Sequence, residues 1–79
     1  KKQLFVRRLL SPKETSSHIV KLREKHSSQA KILDVLLKKP KGILLTELLE
    51  LAGTSKSPVT TLEKQKLLKV EELQIDRSP

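Results

Sequence analysis

Residues 44–77 read LLTELLELAG (44–53), TSKSPVTTLEKQKLL (54–68) and KVEELQIDR (69–77). Thr46 can cap a short helix with Glu47 in its first turn, and Leu48, Leu49, Leu51 and Ala52 recur at the spacing of one inward face. Gly53 stands where a left-handed helix cap belongs. Thr54 or Ser55 then caps a second helix over 56–66. Pro58 lies in its first turn, where a missing N–H is tolerated, and Val59 and Leu62 face inward. Residues 67–70 and 73–75 alternate as two strands about a small, glycine-free turn at Glu71-Glu72. A helix, a break, a second helix and two paired strands predict a winged helix-turn-helix.

Upstream, Ile32, Leu33, Leu36 and Leu37 make one apolar face of a helix over 29–39, flanked by Ala30 and Val35. Lys38 and Lys39 favour its negative end, Pro40-Lys41-Gly42 terminates it, and 43–45 has room for a brief strand. Ser11-Pro12-Lys13-Glu14 is a helix start: Ser11 caps, Pro12 suits the first position, and Glu14 completes a capping box. That helix runs to about residue 25 on a thin stripe of Thr15, His18, Ile19 and Leu22, and His26-Ser27-Ser28 breaks it. LFVRRLL (4–10) reads as a strand. The expected fold class is therefore α+β and mostly helical, a three-helix core over 28–66 plus a small β-wing. Residues 1–26 are expected to be a linker strand and helix that dock weakly, and 27–79 the winged-helix domain.

The chain has 79 residues, no cysteine and a net charge of +8, which bounds it to one small domain without disulfides. The absence of cysteine fits a reducing compartment. No apolar run approaches the ~18 residues of a membrane span, and the start resembles no signal peptide. A start at Lys1 rather than Met is expected of a piece of a longer protein. The positive balance favours a polyanion, nucleic acid or an anionic surface, with plain solubility as the alternative reading. It is unevenly placed: residues 1–41 carry twelve Lys/Arg against three acids, and 42–79 carry five against six. With Phe5 the only aromatic, no platform exists for stacking unpaired bases, which disfavours single-strand and RNA recognition and leaves contact with duplex backbone open.

On the helix over 56–66, Lys56, Ser57, Thr60, Thr61 and Lys64 share the outward side. Lysines contact phosphates, and hydroxyls bond phosphates or base edges without stringency. Arg, Asn and Gln, which make bidentate base contacts, are missing there, so backbone recognition with little sequence preference is expected. A merely solvated polar face is an equally weighted reading. Lys39 and Lys41 are candidate outer phosphate contacts, although charge compensation at a helix end explains them somewhat better. His18 and His26, eight apart without cysteine nearby, do not form a metal site. Neither a phosphate-cradling glycine loop nor a nucleophile–base set is present. No catalytic residue, metal or cofactor is expected in these residues.

ELLELAGTSKSPVTTLEKQKLLKVEE (47–72) resembles the winged-helix segment of the bacterial primosomal protein N′ (PriA) family of replication-restart helicases. LFVRRLL resembles the strand leading into that segment, and SPKETSSHIVKLREKHSSQAKILDVLL (11–37) its linker helix and first winged-helix helix. IDRSP (75–79) resembles the exit toward the helicase lobes. Lys66 departs from the pattern, standing where the family usually has glycine, as do Asp76 and Ser78 in the exit. The family's ATPase motifs and zinc-binding cysteines fall outside these residues. The resemblance implies a monomeric, bacterial, cytoplasmic accessory domain that contacts duplex or forked DNA and positions a helicase core. The alternative is a protein-interaction winged helix that packs on helicase lobes or a primosome partner without touching DNA. A small transcriptional regulator is a third reading, and the sparse outward face counts against it.

Overall fold

Residues 2–8 and 68–74 pair antiparallel over their whole length, so the two ends of the described chain lie in one sheet. The structure, a computed structural model, describes residues 2–74. In chain order the elements are β1 (Lys2–Arg8), α1 (Pro12–Lys25), α2 (Ser27–Lys38), β2 (Ile43–Leu44), α3 (Leu45–Ala52), α4 (Ser57–Lys64) and β3 (Leu68–Gln74). The three strands run in the order β2-β1-β3, all antiparallel, with β1 in the middle. This is a small α+β domain, mostly helical.

Local chemistry explains most of the element boundaries. The Ser11 hydroxyl accepts the Glu14 N–H at 3.3 Å, Pro12 opens α1, and the buried Thr15 donates its hydroxyl to the Ser11 carbonyl at 2.8 Å. α1 and α2 meet at the single residue His26, whose N–H bonds back to the Leu22 carbonyl and whose carbonyl receives Ala30 N–H at 3.1 Å. The break is thus one residue rather than three, and α2 starts at Ser27. A turn across Pro40 and Lys41, closed by Gly42 N–H to Lys39 O at 2.9 Å, ends α2. Gly42 has φ +98° and lies against the Phe5 ring, and a Cβ there would sit 2.9 Å from the Val6 carbonyl oxygen. Only glycine fits. α3 begins two residues earlier than expected, with Leu44 before it and no side-chain cap, so Thr46 lies inside the helix. Gly53 ends it in the left-handed region, as the sequence predicts.

The core is built from Ile32, Leu33 and Leu36 of α2, Leu45, Leu48 and Ala52 of α3, Val59 and Leu62 of α4, Val6, Ile43, Leu67 and Leu68. Leu51, expected inside, is 61% exposed. With Leu45, Leu48 and Ala52 defining the inner side of α3, the 100° step per residue turns Leu51 away from it. Leu49 is half-buried at the margin of the core, whereas Leu37, expected on the inner face of α2, is half-buried in the groove between α1 and α2.

The expected wing is corrected. Glu71-Glu72 is no turn, and β3 runs unbroken from Leu68 to Gln74; Ile75 lies outside the described residues. The cause is a competing partner: β1 offers a seven-residue antiparallel strand, whereas Glu-Glu lacks the positive-φ residues a tight hairpin needs. Glu71 is held on that strand by the Arg7 guanidinium at 2.9 Å and the Lys69 ammonium at 3.1 Å. The boundary expected after residue 26 falls at the α1–α2 corner, and across it β1 places Val6 in the core while Ile19 and Leu22 of α1 pack at its edge.

Between α4 and β3 the chain reverses through Lys66, a non-glycine residue at φ 61°. Leu67 N–H bonds to Leu62 O and Lys66 N–H to Glu63 O, both at 3.0 Å. This pair of bonds is the Schellman arrangement, completed by apolar contact of the flanking leucines. Lys66 bears the left-handed strain because those bonds and the burial of Leu62 and Leu67 fix the turn.

Truncation of Leu36 or Leu62, each fully buried, to Ala should cost about 2–5 kcal/mol; a parental melting curve for either would contradict the core. Lys66→Gly should raise stability by up to ~1 kcal/mol, strain relief exceeding the added chain entropy. Denaturant unfolding measures it, and a loss of stability would refute the strained turn. The Lys69 hydrogen bond holds the Glu71 carboxyl below the ordinary carboxylate value, aided by Arg7 and opposed by desolvation. Its stabilising share is thus present above that ordinary value and is lost as pH falls through the lowered one. A carboxyl NMR titration should place Glu71 below the ordinary glutamate value, and Lys69→Ala should move it back up.

Candidate nucleic-acid interface

α3 and α4 are separated by Gly53-Thr54-Ser55-Lys56, and Val59 and Leu62 turn the inner side of α4 to the core. The opposite side is presented outward. Lys56, Ser57 and Lys64 are exposed there, while Thr60 and Thr61 are half-buried. All five predicted face residues therefore fall on one side, with the exposed Glu63 on its flank. Lys56 and Lys64 are separated by about 12 Å of helix rise.

The capping prediction fails at this helix. Lys56 already has helical dihedrals (φ −72°, ψ −23°), and no side chain caps α4. A capping hydroxyl needs an extended residue at that place. The Thr54 hydroxyl instead donates to the Ser55 carbonyl at 3.2 Å. Thr60 and Thr61 donate their hydroxyls back into their own helix, to Lys56 O at 3.4 Å and Ser57 O at 3.2 Å. Such back-bonding is common for threonine in a helix. It leaves each oxygen as an acceptor, the wrong polarity for a phosphate. The cationic donors on this side are the two lysines.

The fold joins to this face a group of residues that helical spacing does not single out. Lys25, His26 and Ser27–Gln29, from the corner between α1 and α2, line one shallow groove together with Ser57, Pro58 and Thr61. Neither α2 nor α4 carries a side-chain cap or an acid in its first turn. Both helix starts thus leave N–H groups and positive dipole ends near the groove without a neutralising carboxylate. The Gln29 Oε1, itself buried, has no hydrogen-bond partner among the described residues. The signal available in the sequence is compositional: a helix start without acids directly after Lys25. As a break with capping serines, the same stretch points to structure alone.

Lys39 and Lys41 are not brought to this groove. They lie past the far end of α2, about 18 Å along its axis from Ser27. Both are exposed. Lys38, beside them, is paired with Asp34 at 3.5 Å. Among the described residues no three His, Asp or Glu side chains come together as a metal site, and no helix is long and apolar enough to cross a membrane.

No known protein family, curated protein or solved structure matches this chain.

Proposed function

We propose that this domain is an accessory duplex-DNA contact of a replication-restart helicase, engaging the phosphate backbone at a branched fork with little sequence preference. In this reading α3 and α4 form a helix-turn-helix, and the β2-β1-β3 sheet is the wing of a winged helix. The strand that would return on β3 is supplied by β1, from ahead of the helices. The observation that carries the proposal is the outward face of α4. Lys56 and Lys64 stand exposed beside a groove that adds Lys25, His26 and two acid-free helix starts. The outward face of α4 carries none of the bidentate side chains that discriminate bases, and the one such residue in the adjoining groove, Gln29, has its Oε1 buried. The resemblance to the primosomal protein N′ family supplies the parent activity, a bacterial cytoplasmic setting and the neighbouring helicase domains. The domain itself is read as a monomeric binding module without a catalytic role.

Fluorescence anisotropy with duplex and forked DNA tests the reading. Binding should be weak, with Kd near ~10⁻⁴–10⁻⁶ M at physiological salt, and should fall steeply as salt rises. Unrelated sequences should give similar curves. Replacing Lys56 and Lys64 by Ala should lower the salt slope by roughly one unit for each phosphate no longer neutralised. Lys25→Ala should act in the same direction, and Lys39→Ala with Lys41→Ala should act more weakly. Full affinity in the Lys56/Lys64 double variant would overturn the assignment of the face.

A further inference from the structure

A second groove lies elsewhere, between α1 and α2. Its floor is apolar: Ile19 and Leu37 are half-buried, and Val20 stands beside them with 65% of its surface exposed. An exposed valine over an apolar floor costs solvation and contributes nothing to the core described above. Its rim is positive. Arg23 and Lys31 line it, and neither makes an ion pair among the described residues. The one acid in the groove, Asp34, is partnered by Lys38 at 3.5 Å.

The geometry points to a docking site for an acidic amphipathic helix of a partner protein, with Val20 as the apolar anchor and Arg23 and Lys31 as the cations that orient it. Two arguments fix the occupant. A phosphodiester backbone would satisfy the rim and reach the Ser16 and Ser27 hydroxyls, yet it would desolvate its charges against Ile19, Val20 and Leu37 and meet the carboxylate of Asp34. A second copy of this chain is disfavoured by sign. α1 and α2 carry six Lys/Arg against three acids, and the whole chain is +8, so like charge would meet like charge. An apolar stripe flanked by glutamates matches both the floor and the rim, the arrangement of helix-in-groove recognition. α4 contributes nothing to this groove, which shares only Ser27 with the groove beside α4.

The probe is a pair of synthetic helical peptides with leucines at i, i+3, i+4 and i+7, one flanked by glutamates and one by lysines. Each is titrated into the whole chain at low salt and followed by amide shifts. The glutamate peptide should shift Val20, Arg23, Lys31 and Leu37 and bind at least tenfold tighter than the lysine peptide. Val20→Asp should weaken it at least tenfold while melting like the parent, since the side chain is exposed. Arg23→Glu with Lys31→Glu should reverse the preference between the peptides. Equal binding of the two, shifts centred outside the groove, or no shift at millimolar peptide would each overturn the proposal. So would duplex DNA that moves Val20, Lys31 and Leu37 as strongly as it moves Lys56 and Lys64.

Discussion

The pairing of β1 with β3 is the constraint on which the rest of this structure depends. It joins residues that are far apart in the chain, matching Lys2 with Gln74 and Arg8 with Leu68. In a small domain without cysteine no disulfide shares that task. The ladder brings Val6 and Leu68 into one core, each almost fully buried, and satisfies the backbone of β3 along one side. It also determines where the chain must turn after α4. Leu67 and Leu68 have to be inside and Leu62 has to stay inside, so Lys66 takes the left-handed conformation despite its side chain. Closing so long a loop adds little to the entropy already spent on a shorter one, because the cost grows only with the logarithm of length. It does make the sheet a non-local element, of the kind that slows folding.

That constraint also explains what is legible in the sequence. Signals within one turn of helix are readable: Ser11-Pro12 with Glu14, the stripe of Ile32, Leu33 and Leu36, Gly53 as a cap, Pro58 in a first turn. Each is a contact between residues three or four apart, and periodicity measures that distance. The partner of β3 is not readable, because alternation reveals a strand and is silent on what it pairs with. A local hairpin is the simplest completion. The chain prefers its own distant start, and the Glu71-Glu72 pair, which lacks the residues of a tight turn, is the sign against the hairpin. Leu51 is misplaced by periodicity for a related reason. An eight-residue helix bearing leucines at so many positions does not declare its inward side until its neighbours are known.

The candidate interface follows the same division. Lys56, Ser57, Thr60, Thr61 and Lys64 lie on one side of one helix, so helical spacing suffices to group them. Lys25, His26 and Ser27 join them only because α1 and α2 fold back at a single residue, a tertiary fact. Lys39 and Lys41 are grouped with them by charge alone, and folding puts them past the opposite end of α2. Charge in a sequence therefore speaks to the class of partner more than to the place of contact.

The threonines carry the final step. Hydroxyls on an outward helix face invite a reading as base contacts, yet Thr60 and Thr61 both donate to carbonyls four residues back. To donate to a phosphate or a base edge, each would have to break that bond and leave a carbonyl to water. The net gain of such an exchange is small, since a typical hydrogen bond contributes only ~0.5–1.5 kcal/mol. The lysines have no such prior commitment: neither Lys56 nor Lys64 is paired among the described residues. An ammonium on a flexible stem attracts phosphate from many geometries and distinguishes few of them. Low sequence preference in the proposed contact is thus a property of how this helix satisfies its own hydrogen bonds, and composition alone does not reveal it.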